Sequence, residues 1–172
     1  MKLNTYRQKH LDEDIYFVVK QTAESLFSFL ESPKACEALS DANLPGNSSS
    51  IVQNVFVSKA EELGFKSERR GLFQNIPTNN LRPDYYKPIK DTGIIIEVER
   101  GKTIMNNMDM LDMWKCHLCN KANHLFLFVP NKLRHNPNTT PYDCFAKVSN
   151  RLSPFFNAEN YCNVHSLWIF GY

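Results

Sequence analysis

Two short, unbroken apolar runs constrain the fold of this chain more than any other feature. One covers residues 93–96 and passes into the alternating sequence Glu97-Val98-Glu99, and the other covers residues 125–129 and is stopped by Pro130. Both have the length and the β-branched or aromatic content of a strand. An apolar run without alternation is typical of a strand that is buried on both faces. The chain is therefore expected to contain a central sheet with helices packed on its faces.

The apolar spacing elsewhere predicts the elements around these two strands. Helices are expected at residues 14–31, 49–63, 103–115 and 140–152, the third capped by Thr103 and the last opening with Thr140 as N-cap and Pro141 at its first position. Weaker strand patterns cover residues 65–73 and 81–89, and a last strand is expected at residues 164–170. This order of helices and strands predicts an α/β fold with a mixed central sheet flanked by helices.

Length and composition favour one globular domain. The chain has 172 residues, which is enough for one core, with 42% hydrophobic and 22% charged residues. We divide it into an N-terminal helical extension (1–45), a core (48–130) and a C-terminal helix and strand (131–172). There is no apolar run of membrane-spanning length and no signal-like N-terminus, so a cytoplasmic location without a membrane is expected. The net charge of +2 permits a nucleic-acid partner without requiring one.

Three acidic residues mark the candidate site. In a strand, Glu97 and Glu99 point to the same face, with Cα atoms roughly 6.6 Å apart. Asp84 lies thirteen residues before Glu97 and reaches the same face if the preceding strand pairs with this one. Clustered carboxylates repel one another, and a hard divalent cation such as Mg²⁺ removes that repulsion. The alternative is a solvated sheet face next to an ordinary Arg-Pro-Asp turn.

The sequence Pro83-Asp84, followed after a short gap by Glu97-Val98-Glu99, resembles the motif of the PD-(D/E)XK nuclease superfamily, which includes the type II restriction endonucleases. The resemblance covers roughly residues 50–130 and implies a restriction-endonuclease-like αβββαβ core. It implies that Asp84, Glu97 and the backbone carbonyl of Val98 are metal ligands. Glu99 stands where most members have lysine, although one branch has glutamate there, in the role of positioning or deprotonating the water. Lys102 is a rival candidate for the catalytic lysine.

The function that this resemblance implies is Mg²⁺-dependent hydrolysis of phosphodiester bonds in double-stranded DNA, with Mn²⁺ as a substitute. We expect an endonuclease of restriction or DNA-defence type that acts as a homodimer. A structure-specific nuclease of repair or recombination is one alternative. A non-catalytic DNA-binding module that kept the nuclease fold is another.

Basic residues flank the acidic motif and are candidates for contacts with DNA phosphates. The candidate nucleic-acid-binding residues are Arg69, Arg70, Arg82, Arg100 and Lys115. For each of them, ordinary surface charge is the alternative. Lys115 also closes a helix, where a positive charge is favoured by the helix dipole.

The spacing of the cysteines is compatible with a metal site, but we do not expect one. Cys116-x-x-Cys119 and Cys162-x-x-His165 contain the donor types of a structural zinc site, but the turn residues of a zinc knuckle are missing. We expect reduced, buried thiols and neither zinc nor an iron–sulfur cluster. The methionine-rich segment 105–113 is expected to be core, with packing against a second copy as the alternative.

Overall fold

The structure of the chain is a computed structural model that describes residues 1–67, 71–73, 76, 81–134, 136 and 138–172. Its helices are α1 (Glu13–Leu30), α2 (Pro33–Ala42), α3 (Ser49–Glu62), α4 (Met108–Leu118), α5 (Cys144–Leu152) and a short 3-10 helix at Ser153–Phe156. Its strands are β1 (Lys2–Arg7), β2 (Lys66–Ser67), β3 (Tyr85–Ile89), β4 (Thr92–Val98), β5 (His124–Val129), β6 (Lys132–Leu133), β7 (Tyr142–Asp143) and β8 (Ser166–Gly171). None of the described helices combines the length and the apolar character needed to cross a membrane.

Six strands form one mixed sheet in the order β1-β8-β5-β4-β3-β2. The central strands β4, β5 and β8 are parallel, and β1, β3 and β2 join them in antiparallel pairing. Every residue of β4 and β5 is buried, as the two apolar runs predict. The α/β fold with a mixed, helix-flanked sheet is confirmed.

The two faces of the sheet pack against different helices. On one face, Ile94, Ile96 and Val98 of β4 join an apolar cluster with α1, α2 and α3. On the other face, Ile95 joins a second cluster with Met113 of α4 and with residues of α5. Because side chains alternate along a strand, Glu97 points to the same face as Ile95, towards α4. The elements α3, β2, β3, β4, α4 and β5 follow one another in the expected αβββαβ order.

The N-terminal segment differs from the expected helical extension. Strand β1 pairs with β8 along its whole length, from Lys2 opposite Gly171 to Arg7 opposite Ser166, and so forms one edge of the main sheet. Its residues are only partly buried, which is why their apolar pattern is too weak to predict a strand. Helix α2 was also not expected, and its N-cap Ser32 accepts a hydrogen bond from the Ala35 amide.

Two helix starts also differ from their predictions. Helix α4 begins at Met108 and not at Thr103, because residues 101–107 form turns and Asn107 adopts a left-handed backbone with φ of 52°. Helix α5 begins after Asp143, whose side chain accepts a hydrogen bond from the Ala146 amide at 2.8 Å. Residues 142–143 pair with 132–133 in a small second sheet, so Thr140 and Pro141 precede this sheet and do not start the helix.

Candidate active site

The acidic motif lies at the C-terminal end of the central strand β4. Tyr85 is opposite Ile96 in the antiparallel pair of β3 and β4, so Asp84, one residue earlier, lies beside Glu97, one residue later. The Oδ2 atom of Asp84 accepts a hydrogen bond from the Val98 amide at 2.9 Å. Glu97 is 3% exposed. The antiparallel pairing thus brings Asp84 and Glu97 together as the sequence predicts.

Helix α4 adds two more charged groups to this site. The Nζ atom of Lys115 is 2.9 Å from Oε1 of Glu97 and 2.9 Å from Oδ1 of Asp112, one helical turn earlier. Asp112 is fully buried, and the Lys115 side chain is 10% exposed. Glu99, just past the end of β4, is half-buried and lies beside Asp112, close enough to share a hydrogen bond when one of the two is protonated. We call Asp84, Glu97, Glu99, Asp112 and Lys115 the acidic cluster.

Burial raises the pKa of every carboxyl group of the acidic cluster, and repulsion by a neighbouring carboxylate adds to the effect at Glu97, Glu99 and Asp112. Burial, and then the charge of Asp112, raises the pKa of Glu97 well above its usual range and the pKa of Glu99 to about 8. Burial also raises the pKa of Asp112 to about 6 and the pKa of Asp84 above its ordinary value. For Lys115, burial favours the neutral amine, but Glu97 and Asp112 outweigh it and raise the pKa, so the amine stays charged. The acidic cluster therefore holds more negative than positive charge and attracts a proton or a cation.

The donor chemistry of the acidic cluster fits a hard divalent cation, because its candidate ligands are all oxygen atoms, from carboxylates and from the backbone carbonyl of Val98. In the arrangement observed here, however, no three His, Cys, Asp or Glu side chains among the described residues are grouped so that they could hold a metal ion. The cation that does contact Glu97 and Asp112 is the ammonium group of Lys115.

Among the described residues, Lys115 is the basic side chain that forms ion pairs with the acidic cluster, and the other candidate basic residues form none with it. Lys102 is exposed in the turn after β4 and forms no ion pair with any described residue. Arg100 donates through Nη2 to the backbone carbonyls of Asn43, at 3.1 Å, and Leu44. Arg82 is exposed.

Two of the five candidate phosphate-binding residues, Arg69 and Arg70, fall outside the described residues. Lys115, also expected to contact phosphate, is instead buried in the acidic cluster.

Asp112 is the site residue that the sequence analysis missed. The available signal was its position on the buried face of an amphipathic helix, one turn before Lys115 and next to the buried Met113 and Cys116. A carboxylate in such a position needs a partner. Gln53 of α3 is a further neighbour, since it contacts Asp84 and accepts a hydrogen bond from the Tyr85 hydroxyl at 3.3 Å.

The cysteines and methionines supply no side chain to the acidic cluster. All five cysteines are free, and burial raises the pKa of the Cys116 and Cys162 thiols. The methionine-rich segment is core only in part, because Met113 is buried whereas Met105 is 67% exposed.

Comparison with known proteins yields likenesses of structure only. No family model matches the chain, and no curated protein matches its sequence. The restriction endonuclease BglII in complex with a DNA 16-mer is similar with a TM-score of 0.48 and 12% identity, over 99% of this chain and 78% of that one. Free BglII is similar with a TM-score of 0.38 and 12% identity, over 99% of this chain and 79% of that one.

Proposed function

We propose that this chain is a divalent-metal-dependent endonuclease that hydrolyses phosphodiester bonds in double-stranded DNA and belongs to a restriction or DNA-defence system. One observation carries the proposal. An αβββαβ core brings Asp84, Glu97 and Glu99 together with a buried lysine at the end of its central strand. Buried like charges are costly unless they serve a site, so this arrangement favours catalysis over a merely structural role.

Asp84 and Glu97, with the backbone carbonyl of Val98, would hold Mg²⁺, for which Mn²⁺ can substitute. A cation bound there supplies polarisation of the phosphoryl oxygen and a lowered pKa for a bound water. The hydrogen bond from the Val98 amide to Oδ2 fixes the orientation of the Asp84 carboxylate.

Glu99 is the residue best suited to receive a proton from the attacking water. A general base works best when its pKa lies near the operating pH, and the pKa of Glu99 is about 8. Lys102 is the weaker candidate because it is exposed and forms no ion pair with any described residue. Lys115 stays protonated, so it can stabilise negative charge but cannot act as the base.

The phosphates of DNA are repelled by the negative charge of the acidic cluster. Binding of DNA therefore requires positive charge around the cluster and neutralisation of part of the cluster's own charge. Arg82 is exposed close to Asp84 in the sequence and is suited to contact a phosphate. Cutting both strands of a symmetric site needs two related active sites, which a homodimer provides.

A non-catalytic DNA-binding module is the second candidate. It is favoured because no three His, Cys, Asp or Glu side chains among the described residues are grouped so that they could hold a metal ion. Incubation of the protein with supercoiled plasmid separates the two functions. The nuclease converts the plasmid to nicked or linear DNA in Mg²⁺ or Mn²⁺ and not in EDTA, whereas the binding module retards DNA in a gel and never cuts it.

A further inference from the structure

Lys115 is held in the acidic cluster by two contacts of equal length. Its ammonium nitrogen lies 2.9 Å from Oε1 of Glu97 and 2.9 Å from Oδ1 of Asp112. Both carboxylates are almost completely buried, so neither can exchange this partner for bulk water. Among the described residues, no other basic side chain forms an ion pair with a carboxylate of the acidic cluster. Lys115 therefore supplies the positive charge that offsets the negative charge of the acidic cluster.

The position of this ammonium group conflicts with metal binding. Glu97 is the central proposed ligand, and one of its oxygens already contacts Lys115. A divalent cation and an ammonium group in contact with the same carboxylate repel each other strongly in a buried site. Contact with Lys115 therefore opposes metal binding at Glu97, and a metal binds there most tightly once the ammonium group has moved away.

We propose that Lys115 is the resident cation of the acidic cluster, that a divalent metal displaces it from Glu97, and that Asp112 is the positioning residue that keeps the displaced ammonium group in the site. This proposal rests on the proposed function, since it concerns the same metal ligands. Asp112 suits the role because it lies one helical turn from Lys115 on α4 and can keep its contact while the contact with Glu97 opens.

Exchange of one cation for another also explains why no three His, Cys, Asp or Glu side chains among the described residues are grouped to hold a metal ion. The carboxylates are arranged around an ammonium group, and they converge on a metal only after Lys115 withdraws. The lysine then remains beside the reacting phosphate, where a fixed positive charge stabilises the transition state.

The proposal is tested by measuring Mn²⁺ binding without DNA, through loss of the electron paramagnetic resonance signal of free Mn²⁺. The proteins are the wild type, Lys115→Met, Asp112→Asn and the double variant. The matched control is Lys20→Met, which removes the exposed ion pair of Lys20 with Glu24 on α1. Each binding constant is measured at one pH and one ionic strength.

Lys115→Met is expected to bind Mn²⁺ about tenfold more tightly than the wild type or better, because the competing cation is gone. Asp112→Asn is expected to weaken binding, since Lys115 then has only Glu97 as a partner and resists displacement. In the Lys115→Met background, Asp112→Asn should weaken binding less than it does in the wild type, because only the direct attraction between the Asp112 charge and the metal is then lost. Lys20→Met should bind like the wild type.

Three results would overturn the account in distinguishable ways. Equal or weaker binding by Lys115→Met, with normal binding by the wild type, rejects the displacement and leaves the proposed function intact. The same loss from Asp112→Asn in both backgrounds rejects the positioning role, because Asp112 then acts on the metal directly and not through Lys115. Absence of Mn²⁺ binding in every protein rejects the inference and the proposed function together.

A measurement on the wild type keeps the proposal testable if Lys115→Met does not fold. A buried, ion-paired ammonium group exchanges its protons slowly and gives a ¹⁵N lysine signal, which Lys115→Arg identifies by removing it. Saturating Mg²⁺ should shift or abolish this signal. A signal that is unchanged by Mg²⁺, under conditions in which Mg²⁺ binds, contradicts displacement.

Discussion

At the scale of single residues, Glu99 combines burial with a neighbouring carboxylate. Its pKa of about 8 lies well above the value of about 4.3 expected for an unfolded chain. Between these two pH values the folded protein binds a proton that the unfolded chain has released. This stabilisation is complete below the unfolded pKa and is lost as pH rises through the folded one.

Replacement of Glu99 by Gln should therefore change how stability depends on pH. In EDTA, we expect the free energy of unfolding of Glu99→Gln to fall less than that of the wild type between pH 5 and pH 9. The wild-type contribution has a slope of at most about 1.4 kcal/mol per pH unit. Urea denaturation at several pH values measures it, with Glu24→Gln on the exposed face of α1 as the control. Parallel curves for Glu99→Gln and wild type would show that Glu99 is not protonated in the folded protein.

His124 is expected to have the opposite effect on stability. Burial lowers its pKa to about 3, and its Nδ1 atom lies 2.7 Å from Oγ of Ser166. Because the folded pKa is below the unfolded value of about 6.5, stability is lost as pH falls below that value. We expect His124→Gln to lose less stability than the wild type between pH 7 and pH 5, as measured by thermal or urea unfolding. An identical loss in the two proteins would contradict the neutral, buried state of His124.

The residues of the acidic cluster differ in how far the sequence reveals them. Asp84 and Glu97 were predicted, because a motif and the alternation of a strand place them on one face. Asp112 was not, because its role depends on where α4 crosses the sheet. Lys115 was identified but assigned to surface phosphate binding, since burial of a lysine is set by tertiary packing and not by local pattern.

At the scale of elements, α4 is tied to its neighbours by buried charges on one face. Besides Asp112 and Lys115, its residue Asp109 is fully buried and contacts Arg151 of α5, with Nε 3.1 Å from Oδ2. Arg151 also donates to Oδ1 of Asn107 at 2.7 Å, at the start of α4. This pair fixes the position of the helix that carries two of the five residues of the acidic cluster.

Arg151→Met should destabilise the protein, because it leaves the buried carboxylate of Asp109 without its cation. The Arg151 side chain is 31% exposed, so we expect a loss of about 1–3 kcal/mol, less than for a fully buried pair. Arg7→Met, which removes the exposed ion pair of Arg7 with Glu13 at 3.4 Å, should cost less than about 1 kcal/mol. Equal losses in the two variants, measured by urea denaturation, would show that the α4–α5 pair does not stabilise the fold.

The prediction of elements succeeded where the local pattern is strong. Strands β4 and β5 and helices α1 and α3 follow from apolar runs and helical spacing. Strand β1 was missed because an edge strand with partial exposure has no clear alternation. The start of α5 was misplaced because Thr140-Pro141 has the chemistry of a helix start, but tertiary pairing of β7 with β6 takes precedence.

At the scale of the whole molecule, the central sheet places the acidic cluster at one end of its parallel strands. The αβββαβ order, and not a single residue, is what brings Asp84, just before β3, to Glu97 of β4. The proposed function adds that one such molecule offers one active site, whereas a symmetric double-strand cut needs two.

We therefore expect a homodimer in solution. Analytical ultracentrifugation at micromolar concentration, with and without DNA, should give a species of twice the 20.0 kDa mass of the chain. A monomer under all of these conditions would instead favour a nuclease that nicks one strand.

We propose that the acidic cluster is the active site of a metal-dependent nuclease. The most direct test of this claim is nicking of supercoiled plasmid in Mg²⁺ by the wild type, Asp84→Asn and Glu97→Gln, with Glu24→Gln as the control and gel retardation in Ca²⁺ as the measure of DNA binding. Loss of a metal ligand should lower the cleavage rate by at least about a hundredfold, because several kcal/mol of transition-state stabilisation are removed. DNA binding should persist, since phosphates are held by basic residues. Cleavage by Asp84→Asn and Glu97→Gln at the wild-type rate would contradict the claim.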